Sequence, residues 1–517
     1  MTTRARGRCS GVLLHVTSLP GGPSSGDLGR SAYEFADFLV KAGQTRWQTL
    51  PLNPIGEGSS PYSSASSFAG EPLMISPERL VEEGLLEGRE LEGVAVASSD
   101  WRCSFQESRA LREGLLSVAY RRFVDRPRGT LLDAYDEFRA REKGWLDDYC
   151  LFGALTQRFG TRRWTSWPLA MARGESEPLR QARDELAAQI DYLAFQQFVF
   201  DRQWRALHDY CRARGIAIIG DMPMFVAHDS CDVWANRRGF LLDDDGQPEF
   251  VSGAPPDAFA AEGQRWNNPL YDWPYQNETG FSWWTRRIER QLALFDVLRL
   301  DHFIGFSRYW RIARDAKSAK DGQWIPVPGR AFFDQLSRTH GDLPLIAEDL
   351  GAVSEEVWEL RDRYRFPGMK VLQFAFSNEG SAAVHLPDHY PKSSVAFTGT
   401  HDSDTTRGWY QALREQHDRG EQGASDELHR AHLWLGTGEE PEIVPAAMWK
   451  LSESLADTVI FPMQDVLNLD GSHRMNAPGT AEGNWTWRLK SGELDDSVSK
   501  RLREIAETTG RSPALRW

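Results

Sequence analysis

The stretch FDVLRLDHFIGF, residues 295–306, decides how the chain is read. Val297, Leu298 and Leu300 form an apolar, β-prone run that stops at an acid, Asp301, with Arg299 two residues before it and His302 directly after. Alternate side chains of a strand share a face, so Arg299 and Asp301 point the same way, and the cation keeps the acid ionised at neutral pH. The same grammar recurs in IAIIGD (216–221), LPLIAED (343–349) and VAFTGTHD (395–402). Four apolar runs that each end on an acid predict a parallel sheet whose strands deliver carboxylates to one rim, where barrel enzymes keep their chemistry.

Working outward, GVLLHV (11–16), RWQTL (46–50), KVLQF (370–374) and TVIFP (458–462) complete a set of eight strands. Between the first two, Ser31 and Glu34 read as a capping box, Phe35, Phe38, Leu39 and Ala42 as an apolar helical face, and Gly43 as its stop. Further helices are expected from Ser354, with Val353 and Trp358 as a hydrophobic staple, and over about 445–455. Eight alternating strands and helices, with no G-x-G-x-x-G turn after the first strand, favour a closed (β/α)8 TIM barrel over an open doubly wound sheet.

Two connections exceed any simple crossover: about 165 residues after strand two and about 75 after strand three. The first, with helical runs near 77–84, 105–125, 131–141 and 180–214, predicts a mainly helical insertion over 76–214. The second, 222–295, is rich in Gly, Pro, Trp and Asn and reads as irregular structure over the active-site rim. The whole of 1–517 is expected to be one catalytic barrel domain carrying these insertions.

Net charge is −14, and no Lys/Arg block follows a phosphate backbone, which argues against nucleic acid. The 20 Trp and 13 Tyr hint at carbohydrate, because sugar rings stack on flat aromatic faces, although large aromatics also fill large cores. Five scattered cysteines show no metal-ligand spacing and fit a reducing compartment. Arg4, Arg6 and Arg8 before GVLLHV mimic a signal peptide, but the apolar part is short and contains His15, so it reads as the first strand. No run is long enough to cross a membrane. A cytoplasmic protein, monomeric or weakly self-associating, is expected.

For the chemistry, Asp301 and Glu348 at the ends of neighbouring parallel strands suit a retaining glycosidase pair, one attacking the anomeric carbon and the other protonating the leaving oxygen, roughly 5–5.5 Å apart. Asp349, directly after Glu348, is a like charge that favours one retained proton. In GTHDSDTT, Asp402 is placed to hold the sugar distorted and His401 to donate a further hydrogen bond, with Asp404 the expected cap of the helix that follows. Asp221 reads equally as a sugar contact or as a brace for Arg299. Acids on successive barrel strands also bind Mg²⁺ in enolase-type proton abstraction, but no Lys stands at a strand end to act as base.

The chain also resembles glycoside hydrolase family 77, the 4-α-glucanotransferases known as amylomaltases or disproportionating enzymes. The resemblance runs along essentially its whole length: GVLLHVTSLP, WQTLPLNP, SPYSS, GDMPMFVAHDSCDVWAN, PPDAF, WNNPLYDW, LRLDHFIGF, LIAEDLG, FPGMKVLQFAF, TGTHDSDT and RMNAPGTAEGNWTWR. It implies Asp301 as nucleophile, Glu348 as general acid/base and Asp402 as transition-state stabiliser. It implies Arg299, His401, Tyr62, Trp266 and Asn268 as the substrate-binding set, with Pro269 beside them; Asp221 and His302, read from their places after apolar runs, join that set as further candidates. It further implies α-1,4-glucans such as maltose, maltodextrins and amylose as substrates, and neither cofactor nor metal. For Tyr62 and Trp266, plain loop packing is an equal alternative. The chain departs from the family pattern at Glu57, Ser59, Ser63, Glu71, Ala258, Asn267, Ser403, Asp388 and His389, where YGDSPYQS, GNPL, PPDYF, WGNP, HDND and LPHNY are usual. These departures put chain-length and acceptor preference in doubt, not the three acids. A hydrolase on the same scaffold, or a glucan-binding protein without turnover, are the competing expectations.

Overall fold

The computed structural model describes residues 7–92, 101–126, 129–256, 262–351, 353–378, 382–480 and 482–512. Its strands, in chain order, are β1 (Cys9–Leu13), β2 (Arg46–Gln48), β3 (Ala217–Met222), β4 (Phe250–Ala254), β5 (Gln264–Pro269), β6 (Val297–Leu300), β7 (Arg308–Ala313), β8 (Gln323–Pro326), β9 (Leu345–Ala347), β10 (Gly368–Val371), β11 (Ser394–Phe397) and β12 (Thr458–Pro462). Eight of them close into a parallel barrel in the order β1-β12-β11-β10-β9-β6-β3-β2. These are the eight runs read from the sequence, so the fold is a (β/α)8 barrel. The first ends earlier than expected, and Val16–Ser18 turns as a 3-10 helix. The run expected at 370–374 starts at Gly368 and leaves the sheet after Val371.

Local capping shifts two helix starts. The first crossover helix begins at Arg30 with Gly29 as its cap. Ser31 therefore lies inside the first turn, and Glu34 pairs with Arg30 at 2.7 Å instead of closing a capping box. Gly43 does end the helix, with φ +69 in the left-handed region. The helix expected from about 445 starts at Glu440 and passes through Pro445. The carbonyl of Pro441, which a residue 445 amide would have bonded, instead accepts Asn468 Nδ2 at 3.2 Å.

Between β2 and β3 the chain forms helices Pro77–Glu82, Phe105–Val124, Thr130–Phe159, Ser176–Glu185 and Ala187–Ala213. The stretch 222–295 is not irregular. It carries helices Cys231–Ala235, Trp273–Glu278 and Ser282–Leu294, and strands β4 and β5. These two strands join β7 and β8 in an antiparallel sheet of order β5-β4-β7-β8 standing outside the barrel. β5, QRWNNP, is too polar to announce itself as a strand, and β7, which pairs with the other edge of β4, lies beyond the barrel strand that follows. Among the described residues no helix is long and apolar enough to cross a membrane.

Gly220 on β3 precedes Asp221 and is closely packed. A Cβ there would sit 2.2–2.4 Å from the Phe295 ring. Gly220→Ala is expected to lower stability by about 1–3 kcal/mol, the usual effect of overpacking, measured as a shift of the denaturant midpoint with unchanged slope.

Candidate active site

Strand register builds the site. β3 and β6 pair with Asp221 opposite Arg299, and β6 and β9 pair with Leu300 opposite Ala347. The residues one step beyond that last pair, Asp301 and Glu348, therefore lie side by side at the rim. Backbone contacts fix both: Asp301 N–H donates to the Met222 carbonyl at 3.0 Å and Glu348 N–H to the Leu300 carbonyl at 3.1 Å. His302 then turns the chain sharply with φ +52.

Arg299, 4% exposed, is the cation the acids share. Its Nη1 donates to both oxygens of the fully buried Asp221 at 2.7 Å and lies 3.0 Å from Asp301 Oδ1. The strand alternation read from the sequence thus holds, and Asp221 braces Arg299. Tyr62 extends the network. Its hydroxyl donates to Asp221 Oδ2 at 2.7 Å and stands 2.9 Å from His401 Nε2. A carboxylate can only accept, so the single phenol proton goes to Asp221 and His401 Nε2 must carry a hydrogen. That same nitrogen lies 3.3 Å from Asp402 Oδ2.

The environments push these groups apart. For Glu348, burial first and then the Asp301 charge raise the pKa to about 8, against the pull of Arg299 and of the His302 and Leu350 amides. These amides donate to its oxygens at 2.6 and 3.1 Å. For Asp301, burial raises the pKa to about 6, with Asp221 and Asp402 adding to it and Arg299 opposing it. Burial also pushes Asp402 up, but His401 and Asn476 outweigh it and hold the carboxyl well below its ordinary range. Near neutral pH the site therefore offers one protonated carboxyl, Glu348, and two carboxylates.

Two local expectations are corrected. Asp349 is not the like charge that keeps the proton on Glu348. It turns away to accept the Met369 amide at 2.8 Å and to pair with Arg361 at 2.5 Å; Asp301 supplies the like charge. Nor does Asp404 cap the helix Thr406–Asp418. Thr405 does, its hydroxyl accepting the Gly408 amide at 3.0 Å, while Asp404 accepts the Thr405 amide.

Trp266, His302 and Asn268 are the remaining expected residues. Trp266 meets His302 edge-on with ring centres 4.9 Å apart, and Phe225 lies 6.1 Å from the Trp266 ring. Burial lowers the His302 pKa to about 4, so its ring is neutral. Asn268 does not join the acid cluster: its amide donates to the Val226 carbonyl at 3.0 Å, and Pro269 is buried beside it. Ala258 lies outside the described residues.

Two residues escaped the sequence reading. Asn476 Nδ2 donates to Asp402 Oδ1 at 2.7 Å. Trp485, with φ +65, packs on both Tyr62 and His401 at 5.5 and 6.0 Å. Both belong to RMNAPGTAEGNWTWR, a motif with no acid at a strand end to draw attention to it. Among the described residues no group of three or more His, Cys, Asp or Glu side chains could hold a metal ion.

Asp221→Asn should weaken the brace on Arg299 and leave a buried guanidinium short of charge. A loss of about 3 kcal/mol in unfolding free energy is expected, as for one partner removed from a buried pair, measured by urea titration.

Known proteins resemble this chain along nearly its whole length. A family model described as 4-alpha-glucanotransferase, glycoside hydrolase family 77, matches residues 14–495. The 4-alpha-glucanotransferase of Thermus thermophilus is 44% identical over 509 residues, spanning 98% of this chain and 99% of its own. That of a Synechocystis strain is 42% identical over 507 residues, with 98% of each chain covered. A solved structure, amylomaltase from Streptococcus agalactiae in complex with acarbose, superposes with a TM-score of 0.92 at 35% identity over 98% of this chain and 100% of that one. Similar from end to end to such relatives in both sequence and structure, the chain belongs to the 4-alpha-glucanotransferases of glycoside hydrolase family 77, and it is an enzyme of the glycosyltransferase type.

Proposed function

We propose that this 4-alpha-glucanotransferase moves α-1,4-glucan segments between maltodextrins by a retaining double displacement through a glucosyl ester on Asp301. The observation that carries this reading is the pairing of Asp301 and Glu348 by strand register, with Arg299 bound to the first and not hydrogen-bonded to the second. One acid is thereby held as a nucleophile and the other as a proton donor, the division of labour a retaining mechanism needs.

In the first step Glu348 gives its proton to the glycosidic oxygen while Asp301 attacks the anomeric carbon, and the reducing-end fragment leaves. In the second, the Glu348 carboxylate takes the proton from the 4-hydroxyl of an acceptor glucan as that oxygen displaces Asp301. Asp402 stays ionised throughout and stabilises the positive charge that develops at the sugar ring. Its oxygens are oriented by Asn476 and His401, and its side chain keeps 45% exposure towards the groove. Tyr62 and His401, stacked with ring centres 5.3 Å apart, form the floor beside the sugar being cleaved. His302, just past β6, and Trp266, on β5, face the acceptor. No metal takes part in either step.

Incubation of maltotriose with the wild-type chain should give a ladder of shorter and longer maltodextrins with a constant number of reducing ends, and Asp301→Asn should abolish it. A rise in reducing ends with glucose and maltose as products makes the chain a hydrolase. Binding without products makes it a glucan-binding protein.

The pH profile follows from the same pair. kcat/KM rises as Asp301 loses its proton around pH 6 and falls as Glu348 loses its own around pH 8. Glu348→Gln should remove the alkaline limb for a donor whose leaving group needs no proton, such as an α-glucosyl fluoride. EDTA should leave the wild-type rate unchanged.

A further inference from the structure

The β4–β5 hairpin carries Trp266 to the rim, and it is tied down on both flanks. On one side Asn268 donates to the Val226 carbonyl at 3.0 Å. On the other, Arg265 Nη1 donates to the Ala316 carbonyl at 2.7 Å, its Nη2 to the Arg314 carbonyl at 2.5 Å, and its Nε to Asn267 Oδ1 at 2.7 Å. Glu262 and Lys320 add an exposed ion pair between the same two segments at 2.6 Å.

Backbone geometry explains why Asn267 matters. The β4–β5 register runs from Val251 opposite Pro269 to Gly253 opposite Arg265, so β5 uses two residues more than β4 over this interval. The excess forms a bulge at 266–268 that lifts Trp266 out of the ladder. Asn267 sits inside it with φ +61, a conformation asparagine tolerates and branched residues do not. Glycine, the residue usual at this position of the family motif, would supply the conformation without the carbonyl that holds Arg265. In this chain the bulge is therefore clamped, and the indole between the two ties stands edge-on to His302, the neighbour of Asp301.

The geometry points to a role for Arg265 and Asn267 as positioning residues that select the acceptor. By fixing Trp266 they present an ordered aromatic face to an incoming glucan, so that the glucosyl ester on Asp301 meets a sugar hydroxyl before it meets water. An unclamped Trp266 would have to be ordered each time an acceptor binds, which weakens acceptor binding. The inference rests on the reading of Asp301 as nucleophile given above.

The test is steady-state kinetics with maltotriose as donor and glucose as acceptor, scoring transfer against reducing-end release, for wild type, Asn267→Gly, Asn267→Asp and Arg265→Ala. Asn267→Gly should raise the KM for glucose about fivefold with little change in kcat, the effect of losing one hydrogen bond of ordinary net strength, and the transfer-to-hydrolysis ratio should fall to match. Arg265→Ala should shift both in the same direction, and the double variant should add little to either single change. Asn267→Asp, which keeps the acceptor oxygen and tolerates the same φ, should behave as wild type. Unchanged KM and ratio in Asn267→Gly and Arg265→Ala, or an Asn267→Asp variant indistinguishable from Asn267→Gly, would overturn the inference. A wild-type chain that makes no ladder from maltotriose overturns the underlying reading instead, and the inference with it.

Discussion

Arg299 sets the chemistry of the site by being shared unequally. It is buried on β6 between Asp221 on the neighbouring strand and Asp301 two residues along its own, and its side chain bonds both. Glu348, on the strand at the other side, receives only backbone amides. A single guanidinium cannot neutralise three carboxyls in a low-dielectric rim, so the proton settles on the acid that Arg299 attracts from a distance but does not hydrogen-bond. The two acids that register places side by side then differ in protonation, without either needing an unusual local fold.

The rest of the rim serves that asymmetry. Asp221 is fully buried and is present to hold Arg299, not to touch solvent. Tyr62 ties Asp221 to His401, and His401 with Asn476 holds Asp402. Charge, hydrogen bond and ring stacking therefore run as one connected path from β3 through β6 to the segment after β11 and the loop at 474–485. A perturbation at any member changes the orientation or the charge of an acid, which is why the site comes from strand ends fixed by the barrel and not from one loop.

Much of this was legible in the sequence because the barrel repeats a simple rule, an apolar run that stops at an acid. Arg299 and Asp301 share a face because strand alternation requires it, and the eight runs reappear as the eight barrel strands. What was not legible depends on contacts between distant segments or on one-residue shifts. Asn476 meets Asp402 from 74 residues away. β5 is polar and becomes a strand only because β4 pairs with it. Asp404 lost the cap to Thr405, and Ser31 lost it to Gly29, because either neighbour can begin a helix and packing chooses between them. Asp349, adjacent to Glu348 in sequence, faces Arg361 on the other side of the strand, as period-two alternation dictates.

The most direct test of this account is an infrared titration of the carboxyl C=O stretch in the resting enzyme, wild type against Glu348→Gln. The account predicts a protonated-carboxyl band at pH 7 in the wild type that titrates away around pH 8 and is missing from Glu348→Gln. A band that persists in Glu348→Gln and disappears only in Asp301→Asn would place the proton on the wrong acid and contradict it.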